Sequence, residues 1–136
     1  MKNRPLLYRV WDAQRKEMGT VVNIQMQSDG SPRLVSAMFG KEAVARQLDK
    51  DFAIMAYIGL NDDAKKPIYE EDIVEVMVTS EAQFWSKAIR AKVIWNPHVS
   101  YGSYGFVLID SDGGIHSFDK TGDFIIVKGN TFDGCK

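Results

Sequence analysis

Hydrophobic and polar positions along this chain follow a period of two more often than one near 3.6, and the pattern predicts a mainly β protein. Leu6 to Trp11 reads as a strand rich in β-branched and aromatic residues, and Asp12 to Gly19 as a turn region. From Val21 to Met26 the chain alternates, with Val22, Ile24 and Met26 on one face and Asn23 and Gln25 on the other. Ser28-Asp29-Gly30-Ser31-Pro32 is a turn cluster, and Leu34 to Phe39 a returning strand. Lys41 to Phe52 is the one helix candidate, because Ala43, Val44, Gln47 and Leu48 approach helical spacing after Gly40. Phe52 to Ile58 is an apolar run that suits either a buried strand or a continuation of that helix, and Gly59 to Pro67 reads as a surface loop.

Beyond Pro67 the β signal strengthens. Asp72–Thr79, Ala88–Trp95, Tyr104–Asp110, Ile115–Phe118 and Phe124–Lys128 are expected strands. Ser111-Asp112-Gly113-Gly114 is a hairpin turn whose glycines reach positive φ without steric cost. Five short strands at this spacing suggest a small antiparallel barrel over residues 67–132, with residues 1–66 as a β segment plus one short helix packed on it and 133–136 as a tail. The link from Ser80 to Ser86 places Phe84 and Trp85 either as an apolar plug on the barrel mouth or as a contact surface, with the plug preferred.

Composition changes this picture little. With 45% hydrophobic and 26% charged residues the chain has ordinary globular values. Its formal charge of −1 gives no global attraction to nucleic acid, but the charge is unevenly spread. Residues 1–50 hold 9 Lys/Arg against 5 Asp/Glu, and residues 51–136 hold 8 against 13. Mutual neutralisation within one fold is the simplest reading, although the split also suits a homo-oligomer. The single cysteine, Cys135, argues against a disulfide framework or structural zinc. No leader-like start and no uncharged apolar run of membrane-spanning length stand in the sequence, so a cytoplasmic protein without a membrane partner is expected.

Two blocks carry a family resemblance. The first is Arg9-Val10-Trp11-Asp12 followed by Lys16-Glu17-Met18. The second is Tyr57-Ile58-Gly59-Leu60-Asn61-Asp62 running on to Ile68-Tyr69-Glu70-Glu71-Asp72-Ile73-Val74, and Gly129-Asn130 follows the strand Phe124-Ile125-Ile126-Val127. Together they resemble the YopX family of small phage and prophage proteins over most of the chain. The resemblance implies a mainly β protein with an SH3-like barrel in its C-terminal half and a phage or prophage origin, and it implies no activity. Two departures matter. Glu71 stands where the family usually has Gly, which puts a tight turn in doubt because Glu tolerates positive φ poorly. Ala64-Lys65 replaces an Asn-Gly-type turn and suggests a looser loop.

The candidate chemistry is sparse. Glu70, Glu71, Asp72 and Glu75 could hold a divalent cation, but a strand entrance explains them more simply, with Asp72 accepting backbone N–H bonds and Glu75 pointing outward. His98 and His116 come with no nucleophile motif, so no catalytic residue, metal or cofactor is expected. Trp11 is read as an anchor and Asp12 as the cap of the next turn; Gly59, Leu60, Tyr69, Asp72, Gly129 and Asn130 complete a structural motif. Arg90, Lys92, Phe84, Trp85 and Tyr101 are the binding candidates. Trp95 and Tyr104 could join a nucleic-acid face with Arg90 and Lys92, but the core is the better assignment for both. These observations point to a non-enzymatic protein that binds another macromolecule, a protein partner first and nucleic acid as the alternative.

Overall fold

The computed structural model describes residues 7–80, 85–96, 105–116, 118 and 121–133. Among the described residues the chain forms strands and no α-helix. Its elements in order are β1 Tyr8–Asp12, β2 Glu17–Met26, β3 Pro32–Phe39, β4 Glu42–Arg46, β5 Phe52–Asn61, β6 Pro67–Tyr69, β7 Asp72–Ser80, β8 Trp85–Asn96, β9 Gly105–Asp110, β10 Ile115–His116 and β11 Thr121–Asn130. Two antiparallel sheets form, with orders β4-β3-β2-β1-β5-β6 and β10-β9-β8-β7-β11. The chain divides into two compact units, Met1–Tyr57 and Ile58–Lys136, and β5 runs across the boundary.

In the first unit, β1 pairs with β2 on one side and with β5 on the other, so that Trp11 stands opposite Met18 and Ala53. Val10, Val35, Ala37, Phe39 and Phe52 form a buried cluster, packed by Val21, Ile24, Val44, Leu48 and Ile54. Two expectations fail here. The helix over 41–52 does not exist, because Phe39 and Glu42 face each other across a two-residue turn with Gly40 at φ 61, and β4 returns along β3. A glycine first in such a turn suits the twist of a hairpin. The partial burial of Val44, Arg46 and Leu48 has a period of two that the helix-forming residues between them obscure.

The second failure concerns β2. Its partners shift between Val21 opposite Ala37 and Asn23 opposite Ser36, so Val22 is the extra residue of a bulge. This bulge turns Val21 and Ile24 toward the core and leaves Val22 62% exposed, and a second register shift between Gln25 and Met26 leaves Met26 55% exposed, so the expected shared face of Val22, Ile24 and Met26 is broken. Gly19 is buried, and a Cβ there would stand 2.7 Å from the ring of Phe39.

In the second unit, Val74 and Val76 of β7, Ala91 and Val93 of β8 and Leu108 of β9 alternate onto one face with Ile58 and Ile68. The barrel is the third correction. The five-stranded sheet is open, with β10 at one edge and β11 at the other, and a β10 of only Ile115–His116 is too short to close it. Among the described residues there is no α-helix, and none long and apolar enough to cross a membrane.

The segment expected as a surface loop, Gly59–Pro67, is more ordered than that. β5 continues to Asn61, and Asp62 is buried. Lys65 takes φ 65, the left-handed conformation an Asn-Gly turn would use, and its N–H reaches the Asp62 carbonyl at 2.9 Å. The turn is tight without glycine. The same holds for the other family departure: Glu71 sits at φ 69, so the tight turn between β6 and β7 persists with Glu in a strained conformation.

Candidate functional site

The residues of the family blocks build turns. Asp12, buried, accepts the N–H groups of Gln14 at 3.0 Å and Arg15 at 3.3 Å, capping the β1–β2 turn. The guanidinium of Arg15 sits 3.4 Å from Asp12, binds Glu42 through two bonds of 2.6 and 2.7 Å and covers the Phe39 ring. Asp72, 1% exposed, accepts the Tyr69 N–H at 2.9 Å and ties the β6–β7 turn from inside. Gly129 and Asn130 pair with Ile73 and Asp72 at the end of β11, and the Asn130 side chain accepts the N–H groups of Phe132 and Asp133. Gly59 holds φ 92, and Leu60 beside it is exposed.

Asp62 closes the second block, and nothing in its local sequence marks it as a site. Its Oδ1 accepts the Lys66 N–H at 2.8 Å and its Oδ2 the Val127 N–H at 3.0 Å, while the next residue's N–H reaches the Ile125 carbonyl. It therefore fastens the turn after β5 onto β11. Burial works against its charge, but the N–H groups of Val127, Lys66 and Ala64 outweigh that and hold its carboxyl below the usual range.

One concave surface of the second unit lies along β8. A groove of about 770 Å³ is lined by Lys87, Arg90 and Lys92, with Ile73 and Ile109 beside them and Asp110, Asp112 and His116 at one end. Its position follows from strand lengths. β9 ends at Asp110 opposite Ala91, whereas β8 begins at Trp85. Lys92 stands between Ile73 and Ile109 in register, so its stem lies along apolar surface and its ammonium reaches outward. Arg90 faces Glu75 across the ladder. The ion pairs are long: Arg90 Nε is 3.9 Å from Glu75, and Lys92 Nζ is 4.0 Å from Glu71. Exposed pairs of that geometry contribute little.

At the groove's end His116 and Asp110 sit diagonally across the β9–β10 hairpin, with His116 Nε2 2.8 Å from Asp110 Oδ2. The other carboxylate oxygen accepts the N–H groups of Gly114 and Asp112. The bond to His116, followed by the Gly114 N–H, holds the Asp110 carboxyl below its ordinary range. Sequence reading treated these residues separately; the signal joining them is the register that the Ser111–Gly114 turn imposes.

Of the sequence-based binding candidates, the groove unites Arg90 and Lys92 and adds Lys87. Phe84 and Tyr101 lie outside the described residues, as do Tyr104, His98 and Cys135; Trp85 opens β8, but its side chain lies outside them too. Trp95, expected in the core, is 53% exposed and packs edge-on against Phe106, with ring centroids 5.0 Å apart. Its face is the buried one, but it stands near the end of β8, beyond the last β7 pairing at Lys92. Among the described residues no group of three or more His, Cys, Asp or Glu is placed to hold a metal ion.

A family model described as "YopX protein" matches residues 7–131. The fold is similar to that of protein EF1440 from Enterococcus faecalis, whose crystal structure shares 16% identity and a TM-score of 0.60 over 97% of this chain and 96% of that one. No curated protein matches the chain.

Proposed function

The chain belongs to the YopX family, and on that premise we propose that it is a non-enzymatic binding protein of a phage or prophage, working in the cytoplasm through contact with a protein partner. The observation that supports this reading is the β8 groove, which brings Arg90 and Lys92 together beside apolar Ile109. Cations on apolar stems at a concave edge suit recognition of an oppositely charged surface, which sets orientation and association rate. The test is affinity capture from host cells with the wild type and with the Arg90→Glu, Lys92→Glu double variant. A specific partner captured by the wild type and lost by the variant, with an unchanged melting temperature, is the expected result; equal capture by both refutes a role for the groove.

Nucleic acid is the second reading, favoured by the presence of three cations, Lys87, Arg90 and Lys92, in the lining of one groove. It predicts oligonucleotide binding, read by fluorescence anisotropy, that weakens steeply with salt.

A further inference from the structure

Independently of the β8 groove, we infer that the outer edge of β4 joins two copies of this chain, β4 against β4 in antiparallel register. An edge strand leaves backbone groups unpaired on one side, and proteins guard such edges by shortness, proline, bulges, charges or a covering loop. Among the described residues the other three sheet edges are guarded. β10 has two residues, and β6 has three and begins at Pro67. β11 is covered by the turn after β5: Asp62 and Asp63 accept the N–H groups of Val127 and Ile125 at 3.0 and 3.3 Å, and the Asp63 N–H reaches the Ile125 carbonyl at 3.0 Å. β4 ends its sheet over five residues, with no proline and no register shift against β3. Its charges are tied within the chain: Arg15 holds Glu42 through two bonds, and Arg46 reaches Asp49 at 3.3 Å and lies over the Phe52 ring.

The register against β3 fixes which groups face outward. Phe39 and Glu42 flank a two-residue turn and so exchange hydrogen bonds, and such pairs alternate along an antiparallel ladder. Glu42, Val44 and Arg46 therefore turn their backbone groups to β3. Ala43 and Ala45 each turn an N–H and a C=O away from it, and both residues are exposed and small.

That edge is complementary to itself. With a two-fold axis at Val44, Ala43 meets Ala45 of the second copy, and every outward N–H finds an outward C=O. Val44 then faces Val44 and Glu42 faces Arg46, a β-branched pair and a pair of opposite charge, both favourable across strands. Moving the axis to Ala43 sets Arg46 against Gly40, and moving it to Ala45 sets Glu42 against Leu48. Glu42 and Arg46 keep their own partners, so their charges set the register of the contact rather than its strength. The contact is short, and the dimer it makes is a weak one.

The experiment is sedimentation velocity over a concentration series reaching the millimolar range, with melting temperature as the check on folding. The wild type is expected to show a monomer–dimer equilibrium. Ala45→Pro removes an outward N–H from each copy and no bond to β3, and should weaken dimerisation about tenfold or more. Ala43→Lys with Ala45→Lys is milder toward the backbone, sets like charges opposite each other and should do the same. In a Cys135→Ser background, Val44→Cys should oxidise to a dimer and Ala43→Cys should not, because only a residue on the axis meets itself. A monomer at every concentration overturns the proposal, as does a dimer whose affinity both edge variants leave unchanged. Equal crosslinking by Val44→Cys and Ala43→Cys overturns the register. Capture of a host protein that Ala45→Pro abolishes, from a chain that stays monomeric, overturns the second copy in favour of a foreign strand.

Discussion

Replacing Asp62 probes the turn at the end of β5 in a way that gives a number. Its two carboxylate oxygens accept the N–H groups of Lys66 at 2.8 Å and Val127 at 3.0 Å, and the residue is 6% exposed. A bond to a charged acceptor contributes about 1.5–3 kcal/mol. Asp62→Asn keeps one acceptor oxygen, now neutral, and turns an amide N–H toward the other donor. One bond weakens and one buried donor is left without a partner, so the expected loss is about 2–3 kcal/mol. Asp62→Ala removes these bonds together with the one from the Ala64 N–H, but it also removes the cost of burying the charge, so its loss is about 3–4 kcal/mol. The assay is urea denaturation at neutral pH followed by circular dichroism, with amide exchange of Val127 as the local readout. An Asn variant within about 0.5 kcal/mol of the wild type, with Val127 still protected, would refute the reasoning.

The same residue predicts a pH dependence. Its carboxyl in the folded state lies below the ordinary 3.8, so its contribution is complete above that value and disappears as pH falls through the lower folded value. The stability difference between wild type and Asp62→Asn should therefore narrow on acidification, and a difference that holds constant down to pH 2 contradicts it. Glu71→Gly relieves a strained φ of 69, loses an exposed bond from Thr131 and adds freedom to the unfolded chain, for a net gain of up to about 1 kcal/mol in thermal denaturation; a loss above that size shows the conformation is not strained. Gly19→Ala pushes a methyl group onto the Phe39 ring at 2.7 Å and should cost about 1–3 kcal/mol, so an unchanged melting temperature means the ring moves aside freely.

The β class, most strand positions and the turns at Ser28–Pro32 and Ser111–Gly114 were legible because period-two alternation and turn-forming residues act locally. The features that were not legible depend on distant neighbours. Glu42, Ala43 and Arg46 are good helix formers, and only pairing with β3 makes them a strand. The bulge at Val22 inverts the alternation after it, and nothing in the residues themselves announces the extra position. Asp62 looked like an ordinary loop acid because its acceptor role depends on Val127, far along the chain. Arg90 and Lys92 stood out as charges on an alternating strand, but the groove beside them arises from the early end of β9, which no local pattern records.

β5 has one further consequence, for inheritance. The boundary between the compact units falls between Tyr57 and Ile58, inside a strand whose earlier residues are hydrogen-bonded to β1. Genetic exchange that joined one half to a foreign sequence at that point would sever a strand in mid-course. The pieces that look separable by compactness are therefore poor units for shuffling, and lineages of this protein are expected to pass both halves on together.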